Sequence, residues 1–478
     1  MLIKKIKTAN GHYIYDTWTN EILAVDAAIH ALLPGTPTEE VPTDAKSRQE
    51  AEAAIANAQA DGYFSADLPE IANFPSVCHE SIRKTLIEKG PDHLIINLTE
   101  RCNFRCRYCS YSGAYENMRT HSEQRMSVET LRAALDWLLA YPRKDYSVGF
   151  YGGEPLMEMD LLQEAVSYLR SRTDKPLVFR TTTNGALLNE KTCRFLIEQD
   201  FHVNISIDGP AEVNDRYRIL KHGVGGFEHT WEGIQRLHDM SPEWFARRVS
   251  YSLVAAPPVE LMKIQAFTDA HPEIFADHSI AVSSVNPYPS NLGETLPLSG
   301  NREAFVAERD ALFAAFRSKM LAGETSPTDF ALNFFKNDFL DLHQREMSRM
   351  EPVATSDGQC VPGDGKCMVD LDGSLYMCER VGGTRRLGDI HNKGFDLPAV
   401  FGFLDEYHEF LQEQCRHCWM LRLCNKCFVH FRHDENFSRE RLNSFCANQE
   451  KRWTWVLERY IGLREEMPEV FDWAPLPD

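Results

Sequence analysis

Three cysteines within eight residues set the first constraint on what this chain can fold into. The segment reads Cys102-Asn103-Phe104-Arg105-Cys106-Arg107-Tyr108-Cys109 and follows an apolar run at 93–97. A short apolar run bounded by polar residues reads as a strand, so the cysteines lie in the loop at its C-terminal end. Three thiolates on one short loop can take three corners of a [4Fe–4S] cubane, which wants four ligands. One iron then stays open for a substrate or cofactor. The alternative is a structural zinc loop, but zinc favours four close ligands and no nearby Cys or His supplies the fourth.

The chain around this loop is long enough for a large core. It has 478 residues, 43% of them apolar, which implies two or three domains. Seventy acidic residues against 51 basic ones give a net charge of −19. Such a surface disfavours nucleic acid and anionic membranes. The N-terminus lacks the apolar core of a signal peptide, and no apolar run is long enough to span a bilayer. The expectation is a cytoplasmic protein with reduced thiols, in which clustered cysteines hold metal.

Residues 1–75 read as a separate module. Short strands at 3–8, 12–16 and 21–25 are followed by helical patterns at 27–33 and 48–60, an order that suggests a winged-helix-like fold. Residues 34–47 read as a loop. From 92 to about 300, strands alternate with helices: 93–97, 147–151, 177–182, 202–207, 249–254 and 279–284. The clearest helix, 128–140, has Ser127 as N-cap and places Leu131, Leu135 and Leu138 on one face. The fold class is therefore α/β: six units in series imply a parallel sheet with right-handed crossovers, a partial (β/α)6 TIM-like barrel. Its ligands belong at the C-terminal strand ends. Residues 301–354 form a helical connection. Residues 355–450 are rich in Cys and Gly with little periodicity, as in a module held by metal rather than by a large core. A last amphipathic helix at 448–464 leads into the tail, within 451–478.

Polar strand ends carry further candidates. Gly152-Gly153-Glu154-Pro155 follows the second strand, where glycines let backbone approach a ligand. Thr183 and Asn184 end the third strand. Ser206 ends the fourth, with Arg218 twelve residues on. Arg218 has two readings, a carboxylate-binding fork or a surface ion pair. Eight cysteines lie near the C-terminus: Cys360, Cys367, Cys378, Cys415, Cys418, Cys424, Cys427 and Cys446. Eight is two sets of four. The 415–427 run looks locally like a zinc knuckle, but five residues between its pairs is short for one. Cys78 and Cys193 stand apart and read as small buried hydrophobes.

The three-cysteine loop, the Gly-Gly-Glu segment and the eight-cysteine region together resemble the radical S-adenosylmethionine (SAM) enzymes that carry a C-terminal Cys-rich SPASM domain. The resemblance implies that Cys102, Cys106 and Cys109 hold a [4Fe–4S] cluster whose open iron is chelated by SAM. It implies that Gly152, Gly153 and Glu154 meet the SAM ammonium, that Thr183 and Asn184 lie near the ribose, that Tyr108 lies beside the adenine, and that Ser206 and Arg218 contact SAM. It implies three [4Fe–4S] clusters in all. One auxiliary cluster would take Cys360, Cys367, Cys378 and Cys427, the other Cys415, Cys418, Cys424 and Cys446. The first module resembles the element that RiPP-modifying enzymes use to bind the leader of a ribosomally made precursor peptide, by adding a strand to a sheet edge. It can also be a structural appendage. The segment from Tyr111 to His121 resembles peptide maturases that crosslink Cys-rich precursors, of the sactipeptide and ranthipeptide type.

The implied reaction is hydrogen abstraction by a 5′-deoxyadenosyl radical, followed by a Cys thioether crosslink within the peptide. An external donor such as flavodoxin or ferredoxin would supply the electron. Glu379, next to Cys378, stands where sulfatase maturases usually carry a basic Asp, so it is the candidate base; a structural ion pair is the other reading. The alternatives are sulfatase-maturase oxidation of Cys or Ser to formylglycine, carbon–carbon crosslinking or epimerisation, and a non-catalytic iron–sulfur scaffold.

Overall fold

The computed structural model describes the chain except residues 36–43, 72–75, 116, 277, 286–291, 293–301, 325–328, 355–359, 384, 434–435 and 473–478. The side chain of Cys78 and part of the 34–47 loop thus lie outside the described residues.

Strands β1 (Ile3–Lys7), β2 (His12–Asp16) and β3 (Glu21–Val25) form an antiparallel meander. Asn20 takes a positive φ of 59° at the second turn. Helices Ala27–Leu32 and Ala45–Ala60 follow, the second capped by Asp44, which accepts from the N–H of Ser47. Ile14, Leu33 and Phe64 make this module's own small core. Its opposite face is docked: Tyr15 and Trp18 join the main core, and Tyr13 donates to Glu465 at 2.8 Å. Among the described residues β3 pairs only with β2. A short strand β4 (Glu70–Ile71) leads on.

Six parallel strands then build the central sheet: β5 (His93–Thr99), β6 (Tyr146–Gly152), β7 (Leu177–Thr183), β8 (His202–Ser206), β9 (Val249–Ala255) and β10 (Ile280–Ser284). They lie in sequence order and stay open, as the sequence pattern predicts. Each strand buries aliphatic residues such as Leu94, Ile96, Val148, Val203 and Ile205 against a surrounding layer of helices. Cys193 is fully buried there. In the helical connection, β11 (Val353–Ala354) pairs with β4.

The Cys-rich region departs from the expectation of a metal-held module without a core. Strand β12 (Lys366–Val369) pairs in parallel with β5, in register Cys367↔Leu94. Strands β13 (Ser374–Tyr376), β14 (Gly388–Asp389) and β15 (Gly394–Phe395) continue it as an antiparallel meander, giving one ten-stranded sheet. A 20-residue helix, Leu397–Arg416, follows and buries Val400, Phe403, Leu404, Tyr407 and Leu411. These recur at helical spacing, so the region has an apolar core as well as thiols. The last helix, Arg439–Glu466, starts nine residues earlier than the periodicity suggests, because Ser438 caps it by accepting from the N–H of Arg441. Among the described residues no helix is long and apolar enough to cross a membrane.

Candidate active site

The loop after β5 is held by a two-stranded ladder rather than left free. Arg105 N–H donates to Ile219 O at 2.7 Å, Arg107 N–H to Tyr217 O at 3.0 Å, and Lys221 N–H to Asn103 O at 2.8 Å. Phe104 is buried beneath it against Gly226, where a Cβ would come within 2.1 Å of the Phe104 ring. The three thiols are thereby brought together. Burial pushes Cys102 up, and the charges of Glu154, Cys106 and Cys109 push it further. Burial likewise raises Cys106 to about 12, against the pull of Arg218. Backbone N–H groups point at two of the sulfurs, Phe104 at Cys102 and Tyr111 at Cys109, both at 3.4 Å. Thiols so crowded and buried ionise when a cationic metal centre shares the site, and N–H···S contacts favour the ionised form. The donor set therefore fits an iron–sulfur cluster.

Gly152 and Gly153 are required by close approach. Gly152 has φ 137°, and a Cβ on Gly153 would meet the Arg101 carbonyl at 2.1 Å. Gly153 N–H donates to Thr99 O at 2.7 Å and Glu154 N–H to Arg101 O at 2.8 Å, so this segment is zipped to the residues just before Cys102. The Glu154 carboxylate is buried and turned towards β7. It accepts from Thr183 Oγ1 and Asn184 N–H, both at 2.8 Å, and from Leu156 N–H at 3.1 Å. It braces two strand ends, and the backbone of the segment is what remains to meet a ligand. Asn184 Nδ2 donates to Asn103 Oδ1 at 2.7 Å, tying β7 to the cysteine loop.

Arg218 is buried beside Cys106. It donates to Tyr108 Oη at 3.2 Å, and its Nε has no partner among the described residues. An unsatisfied buried guanidinium N–H needs an acceptor, so the ion pair on an exposed surface is not what this residue makes. Asp208, in the Ser206–Pro210 segment after the fourth strand, is a site residue to which sequence alone assigned no role. It accepts from Tyr108 Oη and, at 3.0 Å, from Val254 N–H. Burial raises its carboxyl, and Arg218 opposes that shift. Its signal was present, an Asp two residues past Ser206 with Arg218 ten further on, but nothing local linked it to Tyr108. Ser206 is half-buried at the end of β8.

The eight C-terminal cysteines fall into two neighbourhoods. Cys367 feels Cys378, Cys378 feels Cys427, and Cys427 feels Cys360. Cys418 feels Cys415, Cys424 and Cys446, and these four line one small pocket with Lys426 and Phe445. Among the described residues no three His, Cys, Asp or Glu side chains converge tightly enough to hold a single metal ion. The thiols are thus grouped without closing on a mononuclear site. Glu379 pairs with Lys366 at 3.1 Å, and its charge, after burial, raises Tyr151 at the end of β6. Tyr151 also feels Cys109, so its ring lies within reach of both cysteine regions.

Residues 96–258 match the radical SAM superfamily. A serine-type anaerobic sulfatase-maturating enzyme of Bacteroides thetaiotaomicron is 30% identical over 341 residues, 68% of this chain and 79% of that protein. An uncharacterized protein of Methanocaldococcus jannaschii is 34% identical over 146 residues, and the chain spans about half of its length, 48%, and uses 30% of its own. Among solved structures, native anSMEcpe with bound AdoMet superposes with a TM-score of 0.59 at 18% identity, over 80% of this chain and 99% of that one. The same protein with AdoMet and the Cp18Cys peptide gives 0.58. The match brings with it SAM and a [4Fe–4S] cluster as cofactors. The chain belongs to the radical SAM superfamily of enzymes, in the group that includes the anaerobic sulfatase-maturating enzymes.

Proposed function

We propose that this enzyme oxidises a residue within a peptide and joins it to a Cys sulfur as a thioether. In this reading Cys102, Cys106 and Cys109 hold the SAM-binding cluster. Cys360, Cys367, Cys378 and Cys427 hold one auxiliary cluster, and Cys415, Cys418, Cys424 and Cys446 the other. The observation that carries it is the pairing of β12 with β5, which sets Cys367 beside the barrel strand that leads into the cysteine loop.

When bound, SAM and its cluster supply a 5′-deoxyadenosyl radical that takes one hydrogen atom from the substrate. The chain's own residues bind, orient and keep water away. Arg218 offers its unpartnered Nε to the SAM carboxylate. Asp208 fixes Tyr108 by accepting its hydroxyl hydrogen bond, holding the ring where an adenine would rest. Gly152 and Gly153 present bare backbone to the SAM ammonium. Buried Tyr111 and half-buried Tyr151 stand near Cys109. Glu379, paired with Lys366, would take the proton released from the Cys thiol as the carbon–sulfur bond forms, and the electron lost with it would pass to the auxiliary cluster held by Cys360, Cys367, Cys378 and Cys427.

A peptide substrate is supported by the likeness to a protein solved with a peptide bound. That neighbour is used over 99% of its length while a fifth of this chain has no counterpart. The N-terminal meander, with β3 paired on one side, offers an edge to an added leader strand. A second reading, oxidation of Cys or Ser to formylglycine, is favoured by the sulfatase-maturating relative.

Anaerobic incubation with SAM, dithionite and a Cys-containing peptide separates them by mass spectrometry. The crosslink predicts 5′-deoxyadenosine and a peptide lighter by two hydrogens per link, without a hydrazide-reactive carbonyl. A reactive carbonyl supports formylglycine instead, and an unchanged mass supports epimerisation. No 5′-deoxyadenosine from a fully loaded protein contradicts the whole reading. Glu379→Gln is expected to lower product by about 10²-fold or more, the usual worth of a positioned base, while 5′-deoxyadenosine continues to form. Parallel loss of both would make Glu379 structural.

A further inference from the structure

A buried cation lies where the two groups of C-terminal thiols meet. Tyr407, on the helix Leu397–Arg416, is buried within reach of both groups, since Cys415 and Cys424 of one and Cys360 and Cys427 of the other act on its hydroxyl. Its ring packs with Phe403, Phe428 and Phe431 at centroid distances of 6.2, 6.4 and 5.8 Å, so the surroundings are apolar. Tyr407 Oη donates to Lys426 O at 3.4 Å. Lys426 itself stands between Cys424 of one group and Cys427 of the other.

The Lys426 side chain is turned to the Cys424 side. It is only 6% exposed, and its Nζ donates to Cys424 O at 3.1 Å. It shares a small pocket with Cys415, Cys418, Cys424 and Cys446, whose remaining lining is one glutamine and apolar side chains, with no carboxylate. Its charge acts on Cys415, Cys424 and Cys446. Two arginines also reach these thiols, but Arg439 is exposed and Arg452 is paired with Asp338. The other group is surrounded differently. Glu379 adjoins Cys378 and pairs with Lys366 at 3.1 Å, so those two charges offset each other. Arg380, which acts on Cys427, is exposed and therefore screened by water and salt.

Burying an ammonium among apolar groups is costly unless an anionic group shares the site. A cubane on four thiolates is such a group, and it becomes more negative when reduced. A cation held beside it in a low-dielectric pocket favours the reduced form. We infer that Lys426 raises the reduction potential of the auxiliary cluster held by Cys415, Cys418, Cys424 and Cys446, and so makes that cluster the acceptor for electrons leaving the substrate side. The inference rests on the reading of the eight C-terminal cysteines as ligands of two clusters. One electron leaves the reduced cluster of Cys360, Cys367, Cys378 and Cys427, which is oxidised, and enters the second, which is reduced. No bond forms or breaks, and the proton stays on Glu379.

The test is a redox titration of the cluster-loaded full chain, followed by electron paramagnetic resonance. Lys426→Gln keeps a donor for Cys424 O and removes the charge, whereas Lys426→Arg keeps the charge. In Lys426→Gln one auxiliary centre is expected to become harder to reduce. At a fixed potential its oxidised-to-reduced ratio should rise about tenfold, which is about 59 mV for one electron. That centre should have the higher of the two auxiliary potentials in the parent, and the other centres should titrate unchanged. Lys426→Arg should stay within about threefold of the parent. An unshifted titration overturns the inference, as does a shift confined to the lower-potential centre. An equal shift in Lys426→Arg also overturns it, because packing rather than charge would then be responsible. Lys426→Met is a second neutral variant in case the first loses iron. If neither neutral variant retains the centre, Lys426 is structural support and the inference fails. A parent protein with fewer than two auxiliary centres would overturn the reading of the eight cysteines first, and the inference with it.

Discussion

Cys106→Ala is expected to abolish 5′-deoxyadenosine formation while leaving the eight C-terminal thiols and their iron in place. Changes one shell out from a metal cost about 10–100-fold, so loss of a ligand at the reacting centre should exceed that range. Cys106 is the most enclosed of the three thiols, faces Arg218 and anchors a turn in which Cys109 N–H donates to its carbonyl at 3.1 Å. If the protein holds the three cubanes proposed above, iron should fall by roughly one third. Iron analysis and chromatography of the SAM reaction check both numbers. Retained cleavage, or loss of all the iron, would contradict the separation of the two cysteine regions.

Arg119→Met is expected to destabilise the protein more than any exposed change. Arg119 donates to Asp370 Oδ2 at 2.8 Å and to Val381 O at 2.8 Å, and its guanidinium lies 5.0 Å from the Tyr376 ring. Asp370 in turn accepts from Asn97 Nδ2 at 2.6 Å. This network joins the end of β5, the segment after the cysteine loop and the turn of the β12–β13 hairpin. Breaking a buried pair by removing one partner costs about 3–5 kcal/mol, and the slight exposure of Asp370 argues for the lower end. At about 2.1 cal/mol/K of unfolding entropy per residue, that is a fall in Tm of about 3 °C for a single cooperative unit. Replacing Asp370 by Leu in the same protein should recover part of the loss, because the stranded charge is then gone. A double-mutant cycle read by thermal unfolding measures the coupling, and additivity would contradict the network.

The network also shows where the sequence stops being legible. The six barrel strands and the Gly152–Glu154 segment are local patterns, and each strand lies within two residues of where alternation and flanking turns put it. The cysteine loop is legible for the same reason. Arg119 and Asp370 are 251 positions apart, and no periodicity connects them. The four-residue strand β12 contains a cysteine and little else that marks it, so its place beside β5 is decided by tertiary packing. The helix Leu397–Arg416 carried a readable stripe, overshadowed by the cysteines around it. Asp208 likewise became visible only once Tyr108, a hundred residues earlier, was found against it.

Electron paramagnetic resonance of the dithionite-reduced protein, before and after SAM is added, bears most directly on the central claim. If Cys102, Cys106 and Cys109 leave one iron open for SAM, the signal of one cluster should change on SAM addition, and that change should vanish in Cys106→Ala while the remaining signals persist. A spectrum indifferent to SAM, or one altered equally in the parent and in Cys106→Ala, would contradict it.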